Sequence, residues 1–242
     1  MAILKGKIED RTIYSKELSE DIEVFVYLPP KYSTLVKYPV LIAQDGRDYF
    51  QLGKLAKTAD RLMHEGTISE FILFGITHKG IEDRNSKYRP EGDKHDAYLR
   101  FLAHELVPWI NREFNTLMLG SSTALIGDSL GGYISLKAAL LYPNTFSKLI
   151  LQSPYAPDSV LKEVEESNKI SAVQIYHSIG DEEHAFKVPS GEVKNFLDPN
   201  RKLNCILAEK SMQYKYHEFN GSHLWVNWQH DIIPGLTFLF RD

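Results

Sequence analysis

The segment over residues 124–132, Ala-Leu-Ile-Gly-Asp-Ser-Leu-Gly-Gly, constrains the fold of this chain more than any other segment. A short apolar run ends in the pattern Gly127-x-Ser129-x-Gly131, and a helical pattern follows at once. The apolar residues of that pattern recur on one helical face: Leu130, Tyr133, Ile134, Ala138 and Leu141. The sequence therefore predicts a buried strand over residues 123–128, a tight turn at Ser129 and a helix that ends before Pro143.

A serine on a sharp strand-to-helix turn is the nucleophile elbow of the α/β-hydrolase fold. Gly127 and Gly131 have no Cβ atom that could collide within such a turn. The Ser129 hydroxyl would then stand at the positive end of the following helix, and the N–H of Leu130 would be available to an oxyanion. A glycine-rich turn can also be purely structural, but the strand–turn–helix context favours a nucleophile.

Composition limits the remaining function classes. The chain has 242 residues, of which 43% are hydrophobic and 25% charged, and these values are typical of one globular domain over residues 1–242. The net charge of −4, without a basic stripe, argues against a nucleic-acid partner. The charged start of the chain and the lack of a long apolar run predict no signal peptide, no membrane span and a cytoplasmic protein. Cys205 is predicted to be a packed thiol inside a helix.

Strands alternate with helices along most of the chain, which predicts a mostly parallel sheet with helices on both faces. Residues 6–14 and 21–28 are expected to form an antiparallel edge. The other predicted strands cover residues 38–44, 70–77, 123–128, 148–153, 171–180 and 214–219. Helices are predicted over residues 51–65, 94–114, 158–167 and 186–209 and after residue 223, with a long polar loop over residues 78–93. Three prolines are expected to bend or interrupt helices: Pro108, Pro199 and Pro234.

The strand over residues 38–44 leads into Asp45-Gly46-Arg47. In the α/β-hydrolase architecture the loop after this strand supplies the second oxyanion donor. The backbone N–H groups of Gly46 and Arg47 are therefore candidate donors. An ordinary Asp-Gly turn is the alternative interpretation.

The residues of an α/β-hydrolase triad occur in the order Ser, Asp or Glu, His. Three adjacent carboxylates, Asp181, Glu182 and Glu183, follow a predicted strand. We favour Glu183 as the acid, with Asp181 as the alternative, although all three could belong to a solvated helix start. His223 follows the last predicted strand and is the candidate base, with Ser222 as a possible helix cap.

Candidate substrate contacts lie next to these positions: Arg84, Tyr88, Arg89, Asp128, Tyr155 and Trp225. A solvated loop with a salt bridge is the alternative interpretation for the arginines. His177 and His217 fall inside predicted strands, so structural roles are expected for both. His177, His184 and His217 show no metal-ligand spacing, and the sequence predicts neither a metal nor another cofactor.

Four segments resemble the esterase family that includes enterochelin, feruloyl and acetylxylan esterases and S-formylglutathione hydrolase: residues 26–32, 38–46, 127–132 and 221–228. The chain departs from that family at Ser222, where glycine is common, and in having Glu where many relatives carry Asp. We also expect it to lack the extra N-terminal domain of the larger enterochelin esterases. The resemblance implies a serine carboxylesterase for a small or medium acyl ester, with siderophore esters among the candidates. An acyltransferase and a non-catalytic scaffold are the alternatives, and a homodimer is a candidate assembly.

Overall fold

The computed structural model describes residues 3–188 and 191–241. Its strands are β1 (Lys7–Ser15), β2 (Glu20–Leu28), β3 (Val40–Ala43), β4 (Ile72–Ile76), β5 (Thr123–Asp128), β6 (Lys148–Gln152), β7 (Gln174–Gly180), β8 (Phe186–Lys187), β9 (Val193–Lys194) and β10 (Gln213–Phe219). One eight-stranded sheet has the order β1-β2-β4-β3-β5-β6-β7-β10. Strands β8 and β9 form a separate antiparallel ribbon.

The sheet is antiparallel only at its first edge. Strand β2 pairs antiparallel with both β1 and β4. The pairs from β4 through β3, β5, β6 and β7 to β10 are all parallel. This arrangement confirms the predicted mostly parallel sheet and its antiparallel edge. The carboxyl ends of β3, β5, β6, β7 and β10 consequently meet at one edge, where open α/β sheets bind ligands.

Helices cover both faces of the sheet, as predicted. They are α1 (Gly46–Gln51), α2 (Leu55–His64), α3 (Ile81–Tyr88), α4 (His95–Arg100), α5 (Val107–Glu113), α6 (Ser129–Leu141), α7 (Asp158–Glu166), α8 (Leu197–Lys210) and α9 (Trp225–Phe240). Side chains of α1, α2 and α9, such as Tyr49 and Ile232, share one apolar cluster with Leu41 of β3. Side chains of helices α3 to α8 belong to a second apolar cluster on the other face, which also contains Ile42 of β3. Because successive strand side chains point to opposite faces, strands β2 to β7 contribute to both clusters.

Two predicted segments were wrong, and a third was right only in part. The expected loop over residues 78–93 contains helix α3, which has a polar sequence but is anchored by ion pairs from buried Lys87 to Asp83 and Glu20. The predicted helix over residues 51–65 is divided between α1 and α2, because Lys54 adopts a left-handed conformation with φ of 50°. The predicted helix over residues 186–209 begins only at Leu197, after the β8–β9 ribbon.

The three prolines interrupt their helices less than predicted. Pro199 lies in the first turn of α8, where the missing N–H would have no helical acceptor. Pro108 lies at the start of α5, after a π-helical turn over Phe101–Leu106. Helix α9 continues through Pro234.

Cys205 is exposed, so the predicted packed thiol was wrong. Within residues 3–188 and 191–241 no helix has the length and apolar character needed to cross a bilayer.

Candidate active site

Ser129 stands where β5 ends and α6 begins, with a positive φ of 50°. A Cβ atom on Gly127 would lie 2.1 Å from the carbonyl oxygen of Gly131. One on Gly131 would lie 3.0 Å from a carboxylate oxygen of Asp45. The turn therefore needs glycine at position 127 and leaves little room for a side chain at position 131, and the predicted strand–turn–helix geometry is confirmed. The strained backbone at Ser129 is typical of a functional position.

His223 and Glu183 come together after two neighbouring parallel strands. Glu183 follows β7, and His223 follows β10. His223 Nδ1 lies 2.6 Å from Glu183 Oε2, and the two side chains are 7% and 0% exposed. Because a carboxylate only accepts hydrogen bonds, Nδ1 is assigned as the donor. In a neutral ring, Nε2 is then unprotonated and able to accept a proton.

The second oxygen of Glu183 is held by two further donors. Oε1 accepts hydrogen bonds from Ser153 Oγ at 2.6 Å and from the Gly180 N–H at 2.9 Å. Ser153 Oγ in turn accepts the indole N–H of Trp228 at 2.9 Å. Ser153 Oγ therefore accepts one hydrogen bond from Trp228 and donates its own proton to Glu183. Ser153 was missed by sequence reasoning, although it directly follows β6 at the same sheet edge.

The neighbouring carboxylate Asp181 makes different contacts. It accepts the N–H of Gly221 at 3.0 Å and the amide of Asn220 at 3.3 Å. It therefore fastens the turn before His223, whereas Glu183 contacts the imidazole itself. The predicted Ser222 cap was wrong: α9 begins at Trp225 and has no side-chain cap. The turn is closed instead by Asn227 Nδ2, which donates to the Ser222 carbonyl at 2.8 Å.

Aromatic side chains fix the His223 ring. Phe196 stacks on it with a centroid distance of 4.0 Å and an interplanar angle of 18°. Trp228 meets it edge-on at 4.7 Å, and Phe186 lies 5.1 Å away. Phe196 also lines the cavity that contains Ser129. The imidazole is thus held from several sides, next to the wall of that cavity.

This cavity has a volume of about 300 Å³. It is lined by Ile81, Arg84, Asn85, Arg89, Ser129, Leu130, Tyr155, Val188, Glu192, Lys194 and Phe196. Of the predicted substrate contacts, the lining thus contains Arg84, Arg89 and Tyr155. Tyr155 also donates its backbone N–H to the Ser129 carbonyl at 2.8 Å.

Three predicted substrate contacts lie elsewhere among the described residues. The Tyr88 side chain is buried and its hydroxyl accepts the backbone N–H of Asp45 at 3.1 Å. The Trp225 ring packs edge-on against Tyr49, with the centroids 4.9 Å apart. Asp128 is buried, and its Oδ1 atom has no hydrogen-bond partner among the residues described.

The predicted oxyanion donors lie at the starts of two helices. Helix α1 follows β3 and begins at Gly46, and α6 follows the neighbouring strand β5. The first N–H groups of a helix have no intrahelical acceptor, so Gly46, Arg47 and Leu130 offer backbone donors at this edge. The Arg47 guanidinium pairs with Glu23 at 2.9 Å, so only its backbone N–H is a candidate donor.

Asp45 is buried between the two helix starts. Arg84 donates to its two carboxylate oxygens at 2.7 Å each, and His78 Nε2 lies 3.1 Å from one of them. Burial alone would raise the pKa of Asp45, but Arg84 and His78 hold that pKa below its ordinary value. Burial first, and then the negative Asp45, raise the pKa of Asp128 to about 8. At neutral pH, Asp45 therefore carries its charge and Asp128 a proton.

The other strand histidines have structural partners, as predicted. Buried His177 contacts the Tyr214 hydroxyl and Asn200 Oδ1, both at 2.8 Å. Burial lowers the pKa of His177 to about 4. His217 contacts Asp231 at 3.0 Å. In the part of the chain that the structure describes, no group of three or more His, Cys, Asp or Glu side chains could hold a metal ion.

Comparisons with known proteins agree with this fold. The family model "Putative esterase" matches residues 15–239. "Uncharacterized protein YjcH" of Bacillus subtilis (strain 168) is 43% identical over 236 residues, 98% of each chain. A solved ferulic acid esterase matches with a TM-score of 0.84, 20% identity and 98% of both chains covered. The solved structure of the enterobactin esterase FES from Shigella flexneri matches with a TM-score of 0.83 and 17% identity. The match covers 96% of this chain and 58% of the FES chain.

Proposed function

Because the chain belongs to the Esterase family, we propose that it is a serine carboxylesterase with Ser129 as nucleophile, His223 as base and Glu183 as acid. One observation carries the assignment of the acid and the base. The imidazole Nδ1 contacts Glu183 at 2.6 Å, and both residues follow parallel strands, β10 and β7, that end at the same sheet edge as the elbow strand β5. A buried carboxylate at Nδ1 holds the ring in the tautomer that leaves Nε2 able to accept a proton.

The reaction follows from these roles. Nε2 of His223 takes the Ser129 proton while Oγ attacks the ester carbonyl carbon. The carbonyl oxygen becomes an oxyanion, which the N–H groups of Leu130, Gly46 and Arg47 stabilise. As the C–O bond of the ester breaks, the imidazolium returns the proton to the leaving alcohol. Water then attacks the acyl-enzyme with its proton going to His223, and that proton returns to Oγ as the carboxylic acid leaves.

The cavity indicates the size of the substrate. A volume of about 300 Å³ lies at the small end of ligand sites and accommodates a small or medium acyl ester. Tyr155, Phe196 and Val188 give it apolar walls. Solved relatives are described as ferulic acid and enterobactin esterases, so aromatic and siderophore esters belong in a substrate panel. A cytoplasmic location and a homodimer stay predictions.

Hydrolysis of a panel of 4-nitrophenyl esters of increasing acyl length tests the proposal. The wild type should release 4-nitrophenol from short acyl esters, and Ser129→Ala should lose at least ~10³-fold in kcat. Equal release by both proteins would refute the role of Ser129. Addition of an alcohol distinguishes the alternative acyltransferase, because ester product would then form faster than free acid.

A further inference from the structure

Arg84 lines the cavity, but its guanidinium group does not make the contacts expected of a substrate-binding residue. As a substrate contact, its guanidinium should have free donors facing the cavity. Instead Nε and one terminal nitrogen each bind an oxygen of Asp45 at 2.7 Å. The pair is buried, with side chains 15% and 2% exposed. Two parallel hydrogen bonds of this kind fix the relative geometry of both residues.

Resting on the proposed function, we propose that Arg84 is a positioning residue of the oxyanion hole. It fixes the turn that directs the Gly46 and Arg47 N–H groups, and it neutralises a carboxylate beside the site where negative charge develops. No function in substrate binding is needed for either effect.

The turn at Asp45 is the element that Arg84 fixes. Asp45 has a left-handed conformation with φ of 51°, which is unfavourable for a residue other than glycine. Its backbone N–H donates to Tyr88 at 3.1 Å, and the preceding Gln44 accepts the Tyr98 hydroxyl at 2.5 Å. These aromatic residues and Arg84 come from α3 and α4, so the opposite face of the sheet holds the turn in place.

The next residue, Gly46, has no freedom to shift toward the sheet. A Cβ atom there would lie 2.2 Å from the backbone carbonyl carbon of Gly75 in β4. Helix α1 therefore starts in close contact with β4 on one side, while Arg84 holds Asp45 on the other. Loss of the Arg84 contacts would leave His78 as the only side-chain anchor of the Asp45 carboxylate among the residues described.

Arg84 also neutralises the negative charge of Asp45. Asp45 lies against the first turn of α6, since a Cβ atom on Gly131 would lie 3.0 Å from Asp45 Oδ2. An uncompensated carboxylate at this position would repel an oxyanion at the neighbouring Leu130 N–H. In a buried site such repulsion is little screened by solvent. Arg84 supplies the compensating charge, and the protonated Asp128 adds none.

The test uses kinetics with 4-nitrophenyl acetate, an uncharged ester that offers no anionic group to an arginine. Arg84→Gln should lower kcat by about 10²-fold and change KM by less than about threefold, because only transition-state stabilisation is lost. Asp45→Asn combined with Arg84→Gln should regain part of that loss, since the unpaired carboxylate is gone. Arg84→Lys, which keeps the charge but not the paired hydrogen bonds, should fall between the wild type and Arg84→Gln.

Arg201→Gln is the matched control. Arg201 also forms a two-point pair, with Glu218 at 2.9 Å for both bonds, but on the exposed surface. Its loss should leave kcat and KM unchanged. Urea unfolding of every variant separates a loss of folded protein from a loss of kcat. If Arg84→Gln does not fold, Arg84→Lys and the double variant supply the comparison.

Three outcomes would overturn the proposal. A raised KM with unchanged kcat in Arg84→Gln would make Arg84 a substrate contact. Kinetics equal to those of Arg201→Gln would remove any role in the reaction. A double variant no faster than Arg84→Gln would contradict the role of charge. A wild type that hydrolyses no ester would instead refute the proposed function itself, so the two failures are distinguishable.

Discussion

Replacing Glu183 with glutamine exchanges one carboxylate oxygen for an NH₂ group. The surrounding hydrogen-bond donors determine which way the new amide is oriented. Gly180 N–H and Ser153 O–H both donate to Oε1 of Glu183, and the backbone N–H of Gly180 can only act as a donor. The amide oxygen must therefore occupy this side. The amide NH₂ then faces Nδ1 of His223, which becomes an acceptor.

The consequence is the wrong imidazole tautomer. With Nδ1 accepting from the amide, the ring proton moves to Nε2, and Nε2 can no longer take the proton of Ser129. Loss of the orienting carboxylate in a serine triad lowers kcat by about 10⁴-fold, which is ~5.5 kcal/mol in activation free energy. We expect a loss of this size for Glu183→Gln, with KM changed little because no substrate contact is altered.

The assay is 4-nitrophenyl acetate hydrolysis, with Asp181→Asn as the matched control. Asp181 is exposed and accepts the Gly221 N–H at 3.0 Å, and an asparagine side chain keeps an acceptor there. The control should retain kcat within about threefold of the wild type, since the imidazole contact is unaffected. Retained activity in Glu183→Gln together with a large loss in Asp181→Asn would refute the reasoning and assign the acid role to Asp181.

Three further predictions concern the surroundings of the site. Ser153→Ala removes one donor to Glu183 and should lower kcat by about tenfold, measured with the same ester and with unfolding in urea as the check on stability. Because Arg89 and Lys194 line the cavity and their carboxylate partners, Glu91 and Glu192, are exposed and 3.4 Å away, a mono-4-nitrophenyl ester of glutaric acid should be favoured over the uncharged pentanoate. Arg89→Gln with Lys194→Gln should abolish that preference and leave pentanoate hydrolysis unchanged; an unchanged ratio would contradict it. Burial raises the pKa of Asp128 to about 8, so the native state keeps a proton that the unfolded chain releases, and stability falls as pH rises from about 4 to 8. Asp128→Asn should remove that slope and be more stable than the wild type at pH 8, and equal slopes in urea-unfolding free energy would contradict the protonated state.

Local patterns in the sequence predicted the framework of the fold. The elbow depends on steric limits within five residues, so Gly127, Ser129 and Gly131 specify it without reference to the rest of the chain. Apolar runs such as residues 149–151 identify buried strands, because a strand covered on both faces has no polar side. The chain order of Ser129, Glu183 and His223 then follows from the known order of strands in this fold.

Contacts between distant segments could not be predicted. Arg84 and Asp45 are both polar loop residues by sequence, and only the packing of α3 brings them together. Helix α3 itself was missed because its stability comes from tertiary ion pairs, such as Lys87 with Glu20 at 2.9 Å, rather than from an apolar stripe. Ser153 was missed for the same reason, since its partner Glu183 is 30 residues away in sequence.

The account depends most on an activated serine at position 129. The most direct measurement is the intact mass of the wild type and of Ser129→Ala after incubation with a fluorophosphonate, with urea unfolding to show that both are folded. We expect a single covalent adduct on the wild type and none on the variant. A folded wild type that gains no adduct, or a variant that is labelled as fast as the wild type, would contradict the proposed nucleophile.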